Sequence, residues 1–125
     1  MTNAVTTFFA DRRRALELFE PVRAAVVAAG PSTMRITKSQ ISFGRKTRFA
    51  WVWTPDRWLA GKTAPLVLSI GLRHRDPSPR WKEVVEPRPG RFMHHLEIWS
   101  ATDVDDEVKG WLRQAWHDAG ASDPA

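Results

Sequence analysis

Apolar residues recur at three- and four-residue steps from Leu16 through Phe19 and Val22 to Val26, and Gly30-Pro31 ends the series. That spacing predicts an amphipathic helix. Pro21 lies inside it without an amide hydrogen, so a kink or the start of a second helix is expected there. Ahead of it TTFFAD reads as a short turn that closes Phe8 and Phe9 over the core. The period then changes to two. A short strand, MRIT, precedes a stretch where Ile41 and Phe43 alternate with Gln40 and Ser42. Gly44 to Thr47 reads as a turn, after which Phe49, Trp51 and Trp53 share one face and Arg48, Ala50, Val52 and Thr54 the other. This is the pattern of a hairpin. Beyond a loop with Pro55, Gly61 and Pro65, LVLSIGL places Leu66, Leu68, Ile70 and Leu72 together. Four prolines make 77–90 irregular, with room for a brief strand at WKEVV.

The last strand is FMHHLEIW. Neighbours on a strand point to opposite faces, so His94 goes with Leu96 and Ile98, and His95 with Met93, Glu97 and Trp99. In SATDVDDEV, Thr102 is expected to cap a helix with Asp105 at its third position, and Asp106 and Glu107 suit the positive end of the helix dipole. Val104, Val108, Trp111, Leu112 and Ala115 form its apolar stripe, and Gly120 ends it. The expectation is an α+β domain: a single antiparallel sheet of four to six strands with N- and C-terminal helices packed against it. The expected core includes Phe8, Phe19, Val26, Phe43, Trp51, Val108, Trp111 and Leu112. One domain spans 1–125, with its folded part at about 6–120 and a flexible tail at 121–125.

Composition narrows the function classes. The 125 residues contain no cysteine, which removes disulfides, thiol nucleophiles and thiolate metal sites. Neither a secretory leader nor a membrane-spanning run is evident, so a cytoplasmic protein is expected. The net charge of +5 is uneven: residues 31–100 hold thirteen cations and five acids, whereas 101–125 hold two cations and six acids. Fourteen of the nineteen cations are arginine, the residue suited to bidentate contact with phosphate or carboxylate. Seven tryptophans accompany them, with no tyrosine.

TKSQISFGRKTRFAWVW, LSIGL and HHLEI…DVDDEVKGWLRQAW, with the leading FF turn, together resemble a bacterial family of domains of unknown function over Thr6–Gly120. In layout that family is similar to YdhG-like domains, themselves loosely related to frataxin-like iron chaperones. The resemblance implies a small antiparallel sheet with helices against one face, and it implies no activity.

Candidate chemistry follows from charge and strand parity. Arg35, Lys38, Arg45, Lys46 and Arg48 gather round the first hairpin, and Arg73 and Arg75 follow LSIGL. With Trp51 and Trp53 they predict a basic, aromatic surface for an anionic ligand or single-stranded nucleic acid. The competing reading is a solvated basic face that keeps sheet edges from pairing. His95 and Glu97, joined by His74, are the candidate ligands for a divalent metal in an iron-chaperone-like module. A third reading is a protein–protein adaptor. No phosphate-cradling glycine loop, nucleophile elbow or H-E-x-x-H is present, and no signature pairs a serine with a base. A non-enzymatic binding module without a resident cofactor is therefore the leading expectation.

Overall fold

The computed structural model describes residues 3–121. Its helices are α1 (Ala4–Phe8), α2 (Arg13–Ala29) and α3 (Asp106–Gly120). Its strands are β1 (Thr33–Ile36), β2 (Ile41–Gly44), β3 (Arg48–Trp53), β4 (Leu66–Leu72), β5 (Glu83–Arg88) and β6 (Arg91–Ile98). All six join one sheet in the order β1-β2-β3-β4-β6-β5, and every neighbouring pair is antiparallel. The α+β architecture expected from periodicity is the one observed, at the upper end of the strand count. The part of the expected tail from 122 onward lies outside the described residues.

One face of the sheet carries Ile41, Phe43, Ala50, Val52, Leu66, Leu68, Ile70, Leu72, Leu96 and Ile98, all buried. Leu18, Phe19, Val22 and Val26 of α2 and Val108, Leu112 and Ala115 of α3 close over it. Each such side chain stabilises the fold by roughly 1.5–3 kcal/mol relative to exposure. Because both helices and the Phe8/Phe9 pair belong to that one core, the opposite face of the sheet is left without a helix. Trp51 points to that uncovered face and is only half-buried, so its expected place in the core is corrected. Parity put it opposite Val52, and the aliphatic face won the helices.

Other local expectations are revised in informative ways. α2 runs without interruption through Pro21. The buried stripe on both sides of the proline offsets the missing hydrogen bond. α3 begins later than expected. Ser100 and Asp103 form a capping box on a single 3₁₀ turn, Ala101–Asp103, and Asp105 then caps α3 through its carboxylate and the Val108 amide at 3.1 Å. Thr102 therefore sits inside the first turn, and Asp105 is the cap rather than the third helical residue. β5 runs beyond WKEVV to Arg88, with a register shift between Val85 and Arg88 that accommodates Pro87.

The connection from β4 to β5 is pinned from below. The Trp81 indole donates to Asp76 Oδ2 at 2.9 Å and the Trp111 indole donates to Oδ1 at 3.2 Å. The Asp76 amide in turn donates to Nε2 of fully buried His94 at 2.9 Å. Trp81 also stacks on Trp111, with ring centroids 4.1 Å apart. Arg80 ties the same segment to α3 through Asp105 at 2.9 Å and Glu107 at 2.8 Å.

The end of α2 meets α3 at Gly30. Gly30 has φ +150, and a Cβ there would overlap the Trp116 indole. That indole donates to the Pro31 carbonyl at 2.8 Å, and the Arg45 guanidinium lies 3.6 Å from its centroid. Gly30→Ala is therefore expected to cost about 2 kcal/mol, from backbone strain plus displacement of Trp116. Urea denaturation measures it, and a loss below about 0.5 kcal/mol would contradict the account.

Candidate anion-binding site

The uncovered face has a side-chain row running straight across the sheet. Successive pairings put Arg35 beside Ser42, Ser42 beside Trp51, Trp51 beside Ser69, Ser69 beside His95 and His95 beside Glu83. The Trp53 indole donates to Ser69 Oγ at 2.9 Å, and that hydroxyl is hydrogen-bonded to His95 Nδ1 at 2.6 Å. Burial lowers the His95 pKa, although Glu83 pulls the other way, so the ring is neutral near pH 7. A serine bonded to a neutral imidazole has the form of a nucleophile with its base. Ser69 is only 2% exposed, however, so its hydroxyl is closed to a substrate and holds the row together instead. No spacing in the sequence pairs Ser69 with His95; the register of β4 on β6 does.

A pocket of about 220 Å³ opens at the end of the sheet where β3, β4, β5 and β6 meet the last turn of α3. Trp51, Gly71, Phe92 and Met93 line it, and Arg48, Arg73, Arg88 and Arg91 also line it, with Asp118 the single acid among the described residues there. The β5–β6 hairpin brings this about by pairing Arg88 with Arg91 across the Gly90 turn, where φ is +75. The Arg48 guanidinium donates to the Thr33 carbonyl at 2.7 Å. Burial lowers its pKa, and the nearby charge of Arg35 adds to the effect. An anion would relieve that repulsion.

The structure sorts the sequence candidates. Arg48, Trp51 and Arg73 line the pocket, and Arg75 lies beside it with its guanidinium 5.8 Å from the Phe92 ring centroid. Arg35 stands on the β1 edge, and Trp53 is engaged with Ser69. Arg45 is turned toward α3, stacked on Trp116 and donating to its carbonyl at 3.3 Å. Lys38 and Lys46 are exposed in the turns flanking β2. Arg88, Arg91, Phe92 and Met93 complete the pocket without having been singled out in the sequence; the hairpin signal at Pro89-Gly90 was the available clue.

The three proposed metal ligands are not brought together. His95 and Glu97 share the uncovered face, where they pair with Ser69 and Val67. His74 is exposed beyond Leu72, so about 17 Å of strand rise separates its end of β4 from the Glu97 end. Among the described residues no group of three or more histidine or acidic side chains could hold a metal ion.

Residues 5–119 match the family described as Domain of unknown function (DUF5655). The chain belongs to the DUF5655 family. No curated protein and no solved structure matches it. The DUF5655 domain here thus has the small sheet and helices that the earlier resemblance implied. Among its described residues no helix is long and apolar enough to cross a membrane.

Proposed function

We propose that this DUF5655 domain is a non-enzymatic binding module whose anionic partner docks at the arginine-rimmed pocket. One observation carries the reading: Arg48, Arg73, Arg88 and Arg91, at or next to the ends of four strands, all line a single hollow that contains Trp51. A cluster of cations in a concave, partly apolar site raises the local concentration of anions. Arginine supplies planar, bidentate donors for phosphate, and an aromatic wall accepts a base or other flat group. Short single-stranded DNA or RNA is the natural first probe.

Titration of a fluorescently labelled oligonucleotide at several salt concentrations tests this. Saturable binding that weakens steeply with salt is expected. Arg88→Ala/Arg91→Ala is expected to weaken it about tenfold and to flatten the salt slope by roughly 1. Arg45→Ala should leave binding unchanged, because that guanidinium is committed to Trp116. Affinity that ignores both salt and the double substitution would overturn the proposal.

A further inference from the structure

A second hollow, at the Trp53 end of the uncovered face, has the opposite chemistry to the arginine pocket. Ser39, Gln40, Trp53, Trp58, Leu59 and Glu83 line it, and its volume is about 470 Å³, within the ~300–1,000 Å³ of small-ligand clefts. Its one charged group is the Glu83 carboxylate. Among the described residues no cation comes within salt-bridge distance of that group. A second carboxylate stands close by: Val67 pairs with Trp53 on one side and with Glu97 on the other, about 10 Å from strand to strand. Lys38 adjoins Ser39 in the chain but lines the neighbouring surface with Thr37 and Arg57. Arg35 shares the face, yet it lies near enough to Arg48 to depress that guanidinium's pKa, so its charge is directed toward the arginine end.

The aromatic parts are held in place. The Trp53 indole is fixed by its hydrogen bond to Ser69 at 2.9 Å and by the edge of the His95 ring, 6.0 Å from centroid to centroid. Its single N–H is thereby used, and what it turns to the hollow is ring. Trp58 and Leu59 follow the 3₁₀ turn Pro55–Arg57, and both amides donate to the Pro55 carbonyl, at 3.0 and 2.9 Å. Their side chains are nevertheless 64% and 59% exposed. Adjacent large apolar side chains left in solvent beside a hollow mark a surface with an occupant. Indole faces attract cations, and an unpaired carboxylate at the rim adds to the attraction.

We infer that this hollow binds a quaternary ammonium group, held against Trp53 and Trp58 with Glu83 as its countercharge. Alkylation suits the walls. Methyl groups pack on indole and on Leu59, whereas a primary ammonium brings three donors to a site whose exposed walls accept none. The inference does not rest on the anion-binding reading, and either can fail without the other. A free quaternary amine and a trimethylated lysine side chain present the same chemistry.

NMR titration of the unaltered chain, read at the indole N–H signals, separates the cases. The probes are choline, its uncharged carbon analogue dimethylbutanol, and one short peptide carrying either trimethyllysine or unmodified lysine. Choline is expected to shift the Trp53 and Trp58 signals saturably and to bind at least about tenfold more tightly than dimethylbutanol, or the trimethylated peptide at least about tenfold more tightly than its unmodified form. Preference for choline alone identifies a free amine as the source, preference for the trimethylated peptide alone identifies a modified side chain, and both together identify the shared group. Absence of both preferences, with or without binding, overturns the inference. Glu83→Gln and Trp58→Ala are each expected to weaken the preferred probe about tenfold. Both side chains are exposed, and the remaining indole signals report whether each variant is folded. Unchanged affinity in both folded variants would place the binding elsewhere and also overturn the inference.

Discussion

Asp76→Ala is expected to destabilise the domain by about 3 kcal/mol and to lower its melting temperature by roughly 10 °C. The carboxylate accepts from the Trp81 and Trp111 indoles and, at 3.0 Å, from the Ser78 amide. Removing it strands three donors, of which the Trp81 indole belongs to a buried residue and the others are partly screened by solvent. A buried donor without a partner costs about 1–3 kcal/mol, so the sum falls well short of three full penalties. Burial opposes ionisation of Asp76, but the hydrogen bonds from Trp81, Ser78 and Trp111 outweigh it and keep its pKa below the ordinary carboxylate value. Asp76→Asn retains one acceptor oxygen and should lose only about 1 kcal/mol. Thermal and urea melts of both variants decide the matter, and equal losses for Ala and Asn would show that the carboxylate is not the pin.

The second large effect is a loss of stability as the solution becomes mildly acidic. Burial is the leading reason that the His94 pKa lies below its ordinary 6.5, against the pull of the Ile70 and Phe92 carbonyls and of Asp76. Burial does the same to His95. In the unfolded chain both rings take a proton as pH falls through about 6.5, while in the folded protein they resist it. The unfolded state therefore binds more protons in this window, so their contribution is complete above pH 6.5 and declines below it. Each histidine contributes a slope of at most about 1.4 kcal/mol per pH unit, so stability is expected to fall as pH drops from about 6.5 toward 5. Asp76 and Asp105 have lowered pKa values, so their contributions are complete above about their ordinary 3.8, decline only below it, and do not mask the effect. His94→Gln should remove about half of the slope. A stability curve flat to within about 0.5 kcal/mol over this range would falsify the assignment of neutral, buried rings.

Much of this fold is legible in the sequence because burial on a sheet leaves a period of two. Leu66, Leu68, Ile70 and Leu72 declare one face, and His94, Leu96 and Ile98 declare the same face of the neighbouring strand. Parity alone cannot say which of two apolar faces attracts the helices. That is why Trp51 reads as core in the sequence and lies half-exposed in the structure. The acidic run at 103–107 announces a helix start, yet two caps five residues apart, Ser100 and Asp105, satisfy the same pattern, and packing of Val104 and Val108 selects between them. The pocket was less legible still. Arg48 and Arg73 stood out by charge, but Arg88 and Arg91 acquire meaning only when the pairing of β5 with β6 and of β6 with β4 brings them to the same hollow.

The two margins of the sheet bear on the solubility of a domain that keeps one broad face uncovered. A free strand edge is a template for another chain, and a flat uncovered face would widen the contact. β1, on one margin, spans four residues and carries exposed Arg35. β5, on the other, is interrupted at Pro87, which has no amide hydrogen to offer, and is flanked by exposed Glu86 and Arg88. Growth by strand addition is blunted on both sides. The uncovered face can thus remain open to a ligand without making the sheet a seed for its own aggregation.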